Sequence, residues 1–271
     1  RKCAEMLFPG RVTAEIAMAR QERYAKPGAQ PQVSPATIHE DLRRRDFTIN
    51  AVALSLTRAS RGLLIDPTNG AGDLAHKELR AVHNYTLYDD PARILRLVRF
   101  RVRLGFTVEE RTLQQYRNVR AEGLERRIPA RRLLEELREI AEDPNPGEVV
   151  RALDEEKLLP LFSPALAGGK LNLAVLARLH RAKLLIPYGM PFPVDNLPLF
   201  LALLTERLTS REKADLVGAV GLCAADVSAW NKLEVRAKKL ERELKSPKLH
   251  KPFQVYEALS ATAGELLLFL L

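Results

Sequence analysis

The chain has 271 residues, 46% of them apolar, 28% charged and 6% aromatic, and a formal net charge of +9. This composition supports a packed core and argues against a mainly disordered chain. Two cysteines, Cys3 and Cys223, argue against a disulfide framework or a CxxC motif, and no apolar run approaches the ~20 residues of a membrane span. The expectation is a protein of a reducing, cytoplasmic compartment with no membrane partner. The chain starts at Arg1 rather than Met and stops within the apolar run Glu265–Leu271, so both ends read as cut.

Taken in order, residues 12–19 alternate, with Val12, Ala14, Ile16 and Met18 on one face, which predicts a half-buried strand. Residues 20–42 are polar and carry Pro27-Gly28, Pro31 and Pro35, and read as a long loop. A helical turn is expected over Thr48–Ala51. A hairpin is expected between Val52–Leu56 and Gly62–Ile65, followed by a strong turn at Asp66-Pro67-Thr68-Asn69-Gly70. Up to about residue 83 the chain reads as α/β.

The pattern then becomes helical. Asp90-Pro91 opens a helix whose apolar stripe is Ile94, Leu97 and Val98 and whose stop is Gly105. Further helices are predicted over Leu124–Ala141, Glu148–Leu159, 171–184, 197–207, 210–218, 224–243 and 253–270. Pro187, Pro191, Pro193 and Pro247 act as breakers.

The positive charge is concentrated. Arg93 to Arg138 holds thirteen Arg, no Lys and six Glu, most of the net +9. Arg makes planar, bidentate contacts with phosphate and stacks on bases, so the block points to a polyanion, nucleic acid or nucleotide phosphates. A solvated face with internal ion pairs accounts for Arg131–Arg138, where Glu135 and Glu136 lie nearby. It does not account for Pro91–Arg103, with five Arg and no acid. The charge run Glu234–Lys245 reads as a solvated helix face. His39, His76, His83, His180 and His250 are scattered and read as surface or structural residues.

Two segments carry chemistry. In Arg44-Arg45-Asp46-Phe47-Thr48-Ile49-Asn50-Ala51, a guanidinium suits a triphosphate and a carboxylate suits a ribose hydroxyl, although helix capping by Asp46 explains the spacing better. In Asp89-Asp90-Pro91-Ala92-Arg93-Ile94-Leu95-Arg96, the acceptor Asp90 and the donor Arg93 stand three apart, a spacing suited to reading a base edge. Arg96, Arg99 and Arg103 continue that face as a stripe with no acid beside it in the sequence. The bland reading is a capped helix with an ion pair worth ~0.3–0.5 kcal/mol.

These two runs, with Asp66-Pro67…Gly72-Asp73-Leu74 between them and Arg103-Leu104-Gly105-Phe106 after them, resemble the class II tRNA nucleotidyltransferase and bacterial poly(A) polymerase family. A weaker match follows at Ile128-Pro129-Ala130-Arg131-Arg132-Leu133, where Arg131 replaces the family's usual Glu. The resemblance covers roughly residues 12–162. It implies a partial α/β nucleotidyltransferase head (1–83), an all-α nucleotide-selecting neck (84–147) and an all-α RNA-binding body (148–271), mostly helical overall.

By the resemblance, Arg45 and Asp46 contact the incoming nucleotide, Asp90 and Arg93 form a protein template for the base, and Arg96 and Arg99 lie on the phosphate side. Asp89 replaces the family's usual Glu. Arg103, Arg127 and Arg132 are the expected RNA contacts. The implied reaction moves a nucleotidyl group from CTP or ATP to the 3′-hydroxyl of a tRNA with Mg²⁺, as CCA or A addition. Poly(A) synthesis and a non-catalytic RNA-binding relic are the alternatives. The Arg20–Leu42 stretch matches the family's flexible element at normal length, which disfavours CC-only addition. The family's Gly-Gly-x-x-Arg-Asp and Asp-x-Asp segments do not occur in the sequence. Glu15 alone matches a family carboxylate, and one carboxylate cannot hold two Mg²⁺ ions. The chain is therefore expected to be truncated, to bind nucleotide weakly, to hold no metal and not to catalyse.

Overall fold

The computed structural model describes residues 3–9, 12–187, 189–190, 192–246, 251–260 and 262–270. Pro191, Pro247 and His250 lie outside the described residues. The chain forms two compact units, Arg1–Ile128 and Pro129–Leu271.

The first unit opens with β1 (Cys3–Phe8) and β2 (Val12–Ala17), paired antiparallel from Cys3↔Ala17 to Phe8↔Val12. The alternation of 12–19 does make a strand, but not a half-buried one: Val12 is 58% and Ile16 59% exposed. Among the described residues β2 has only β1 beside it in the sheet. The stretch 20–42 is not a loop. It contains β3 (Arg20–Arg23), antiparallel β4 (Gln32–Pro35) and α1 (Ile38–Arg43). Several of its polar side chains bond within the fold, among them Arg20, Glu22, Tyr24 and Asp41. Thr37 and Glu40 close a capping box on α1, the hydroxyl accepting from Glu40 N and the carboxylate accepting from Thr37 N.

A 3-10 turn forms over Thr48–Asn50. β5 (Ala53–Leu54) then pairs with β6 (Leu64–Ile65) as the expected hairpin. The Asp66 carboxylate accepts from Gly70 N at 2.7 Å and Ala71 N at 2.9 Å and so starts α2 (Gly70–His76). Burial works against that carboxylate, and these backbone donors outweigh it, holding Asp66 below its ordinary pKa. Gly70 is required by packing: a Cβ there would sit 2.0 Å from the Thr48 carbonyl oxygen. The motif's Gly thus lets α2 rest on the 48–50 turn, while Thr48 Oγ1 donates to the buried Asp73 at 2.6 Å.

β7 (Glu78–Leu79) pairs in parallel with β8 (Thr107–Val108), and α3 (Thr86–Asp89) and α4 (Arg93–Leu104) lie between them in the chain. Ile94, Leu95, Leu97 and Val98 are buried, as the stripe predicts, and Gly105 ends α4 with φ +64°. α5 (Glu110–Ala121) has no counterpart in the sequence reading. Its buried face is Thr112, Gln115 and Val119, so hydrogen-bonding groups replace the apolar stripe.

The helix predicted over Leu124–Ala141 is two elements, a 3-10 turn (Leu124–Arg127) and α6 (Ala130–Ala141). Pro129 disfavours helical backbone at the preceding residue, and Ile128 is extended at ψ 121°. The second unit continues with α7 (Pro146–Glu155), α8 (Leu173–Leu184), α9 (Asn196–Leu204), α10 (Ser210–Val220), α11 (Ala224–Leu244), α12 (Pro252–Ser260) and α13 (Gly264–Leu270). The helix expected over 253–270 is thus split. A Cβ on Gly264 would meet the Pro193 carbonyl at 2.5 Å, so the start of α13 is held against that segment. α9 is apolar all round and buried from Leu197 to Leu204, the centre of this unit's core with Trp230 of α11. Among the described residues no helix is long and apolar enough to cross a membrane, and both cysteines are free and exposed.

Gly70→Ala is expected to destabilise the protein by about 2–3 kcal/mol, because backbone rather than a flexible side chain meets the new methyl. Urea unfolding checks this, and a loss below about 0.5 kcal/mol would contradict the close approach.

Candidate functional site

The site is built within the first unit, and Asp41 organises one side of it. Asp41 is 5% exposed. It accepts from Arg20 N at 3.1 Å, from Arg44 Nε and Nη2 at 3.0 and 2.7 Å, and from Arg45 Nη2 at 3.2 Å. Arg44 also donates to Glu22 Oε1 at 2.8 Å and to the Arg20 carbonyl at 2.9 Å, tying β3 to α1. Burial pushes the Asp41 carboxyl up, and the bonds from Arg44, Arg20 and Arg45 outweigh it, so its pKa lies below the usual value. Sequence reading passed over Asp41; acid followed by Arg at three and four residues on a helix was the available signal.

Asp46 is not a helix cap. Its Oδ1 accepts from Phe47 N at 2.8 Å and Asn50 Nδ2 at 3.2 Å, and its Oδ2 lies 2.9 Å from Arg96 Nε. Phe47 is fully buried and meets Phe100 edge-on at 5.8 Å between ring centres. The guanidinium groups of Arg96 and Arg99 lie over the Phe100 ring at 5.6 and 4.9 Å. The stripe that looked unpaired is therefore partnered: the acid for Arg96 comes from Asp46, fifty residues earlier in the chain.

At the start of α4, Asp90 Oδ1 accepts from Ala92 N at 3.2 Å, and Asp90 Oδ2 faces Arg93 Nε at 3.9 Å. Both residues are buried. Arg93 donates from Nη1 to the Thr86 carbonyl at 3.2 Å and from Nη2 to the Arg44 carbonyl at 2.9 Å. These bonds use two of its five N–H groups. The turn between β3 and β4 closes over this corner, since Gly28 N donates to the Asp89 carbonyl at 3.2 Å. Tyr24 in that turn donates to Glu22 Oε2 at 3.1 Å. Burial pushes its phenol pKa up, Arg93 opposes the rise, and Glu22 and Asp90 add to it.

The structure thus brings Arg45, Asp46, Asp90, Arg93 and Arg96 together. Arg45 is half-exposed, donating to the Asn50 carbonyl at 3.1 Å, and Arg96 is part-exposed, so both present charge outward. Arg99 is 2% exposed and packs on Phe100. Arg103 is exposed near the end of α4, and Arg127 is exposed, with its carbonyl against Gly28. Arg132 lies in the second unit, paired with Glu135. Glu15 is exposed on β2, directly across from Glu5. Two exposed carboxylates are too few ligands for a pair of Mg²⁺ ions, and among the described residues no group of three or more His, Cys, Asp or Glu is arranged to hold a metal. The residues present do not fit the family's metal centre.

A buried acceptor–donor pair beside half-exposed guanidiniums suits a base edge and its phosphates. The first unit, an α/β fold carrying this corner, is followed along the chain by a helical unit. The family model for the Poly A polymerase head domain matches residues 3–80. An A-adding tRNA nucleotidyltransferase of Aquifex aeolicus is 29% identical over 266 residues, which is 97% of this chain and 32% of that protein. A CC-adding tRNA nucleotidyltransferase of Deinococcus radiodurans is 37% identical over 56% of this chain and 39% of its own length. A CCA-adding enzyme solved in an apo form aligns over 99% of this chain and 62% of its own, at 28% identity and TM-score 0.64. A Thermotoga maritima CCA-adding enzyme complexed with tRNA aligns over 99% of this chain and 61% of its own, at 27% identity and TM-score 0.59. A CCA-adding enzyme in complex with ATP aligns over 99% and 60%, at 27% identity and TM-score 0.60. The chain is thus similar to tRNA nucleotidyltransferases, its first 80 residues matching the Poly A polymerase head domain, and it spans well under half the length of these curated relatives.

Because the folded pKa of Asp41 lies below its unfolded value of about 3.9, its stabilisation is complete above that pH and is lost as pH falls through the folded value. Asp41→Asn is expected to lose about 2 kcal/mol at neutral pH by leaving Arg44 poorly compensated. The variant should also show a shallower loss of stability below about pH 4. Denaturant titrations across pH check this, and an unchanged acid limb would contradict the assignment.

Proposed function

We propose that this chain forms the nucleotide-selecting and RNA-binding part of an enzyme that extends the 3′ end of tRNA, adding CCA or A from CTP and ATP. The convergence of two segments fifty residues apart carries the reading. Asp46 meets Arg96, and the Arg44 carbonyl anchors Arg93, so the nucleotide contacts and the base-reading pair share one rigid corner.

In this reading Asp90 accepts from the base and Arg93 donates to it. Arg45 and Arg96 face the phosphates, and Asp46 holds Arg96 in place. Arg99 supports the corner from beneath by packing on Phe100. Arg103, Arg127 and Arg132 meet the RNA backbone. The division into head (1–83), neck (84–147) and body (148–271) is a functional one, and the protein works in the cytoplasm. Mg²⁺ serves the transfer in this class of reaction. A non-catalytic RNA-binding protein is the second reading. Poly(A) synthesis differs in its product, a homopolymer rather than a short defined end.

Titration calorimetry should detect ATP and CTP binding by the chain. Arg93→Ala should change the ratio of the two Kd values about tenfold, the loss expected for charge-assisted hydrogen bonds, with tRNA affinity nearly unchanged. An unchanged ratio removes the role given to Arg93, and no binding of either nucleotide overturns the reading. With tRNA lacking its 3′ end, Mg²⁺ and labelled ATP or CTP, binding without incorporation is expected. Affinity for tRNA should fall steeply with salt, and a slope near zero would argue against an extended phosphate footprint.

A further inference from the structure

His83, one of five scattered histidines in the sequence, lies beside the Asp90–Arg93 pair. Its Nδ1 accepts the backbone N–H of Tyr85 at 3.2 Å. An imidazole nitrogen that accepts carries no proton, so in the neutral ring the proton sits on Nε2. That nitrogen faces Asp89 Oδ2 at 4.0 Å. The main chain beneath the ring is held too: the His83 N–H donates to Thr86 Oγ1 at 3.0 Å, and its carbonyl accepts from Gln115 Nε2 at 3.1 Å on the buried face of α5.

Both ends of this mount reach the base-reading pair. Thr86, which holds the His83 N–H, supplies the carbonyl to which Arg93 Nη1 donates. Asp89, which faces the imidazole, is joined directly to Asp90, and its carbonyl accepts the Gly28 N–H of the β3–β4 turn. The Asp89 carbonyl is thus fixed, and its carboxylate faces the His83 imidazole across 4.0 Å. Burial lowers the His83 pKa from its ordinary value, Asp89 opposing this and Arg93 adding to it, which favours the neutral ring. A separation of 4.0 Å exceeds a hydrogen bond, and a carboxylate shift of about 1 Å closes it.

We propose that His83 is a positioning residue for nucleotide choice: its Nε2–H restrains the Asp89 carboxylate and so sets the angle at which Asp90 and Arg93 meet the base. This inference rests on the nucleotide-selecting role proposed above. It adds to that role a side chain that touches neither base nor phosphate.

Two isosteric halves of the imidazole separate this role from a merely structural one. His83→Asn keeps an acceptor for the Tyr85 N–H and removes the group that faces Asp89. His83→Gln restores a donor at the position of Nε2. Calorimetric Kd values for ATP and CTP are measured on the whole chain and both variants, with thermal unfolding alongside. His83→Asn should change the ATP/CTP Kd ratio by about threefold without lowering Tm, and His83→Gln should return the ratio toward that of the parent. Nucleotide binding with an unchanged ratio in His83→Asn overturns this inference alone, whereas absence of nucleotide binding by the parent overturns both it and the reading beneath it. A ¹⁵N spectrum of the imidazole supplies an independent check: a proton on Nδ1 rather than Nε2 refutes the assignment.

Discussion

The first unit depends on one long-range constraint: the segment 44–50 must lie against α4. Phe47 inserts fully, meets Phe100 edge-on, and brings Asp46 within 2.9 Å of Arg96. The same approach puts the Arg44 carbonyl within reach of Arg93. A buried guanidinium left without these partners is expensive, so the apolar contact and the polar bonds support one another. Other features of the corner follow. Arg44 reaches the other way to Glu22 and Asp41, which fastens the β3–β4 hairpin, and the turn of that hairpin then bonds to Asp89.

The arginine block takes on a different character in this light. Counted along the chain, Pro91–Arg103 has no acid to offset its cations. In three dimensions Asp46 serves Arg96, Asp90 faces Arg93, and Glu125 lies 3.5 Å from Arg120. What remains on the surface is a smaller set, including Arg103 and Arg127, rather than a continuous stripe. Buried Arg supplies directional donors that tie the corner together, and exposed Arg supplies long-range attraction.

Local sequence rules worked where the determining forces were local. The turn at Asp66–Gly70, the stop at Gly105, the apolar stripe of α4 and the short hairpin of β5 and β6 follow from capping, turn chemistry and periodicity. They misjudged elements whose buried faces are polar. α5 hides Thr112 and Gln115, and the hairpin of β3 and β4 is organised by Asp41 and Arg44, so neither displays an apolar repeat. The break at Ile128-Pro129 was legible in principle, since proline restricts the residue before it, but a helical pattern on both sides masked it.

By itself the sequence carried the resemblance to tRNA nucleotidyltransferases, the mostly helical character after residue 83, and the identities of Arg45, Asp46, Asp90, Arg93 and Arg96 as the residues of interest, because motif order and spacing survive without coordinates. Only the tertiary structure decided their states: Asp46 bound to Arg96 rather than capping a helix, Arg99 sunk against Phe100, Arg93 tied to two backbone carbonyls, and His83 set beside Asp89. The reason is physical. Burial and pairing of a charged side chain are set by groups far away in the chain, and those distances are fixed only when hydrophobic packing brings the two segments together.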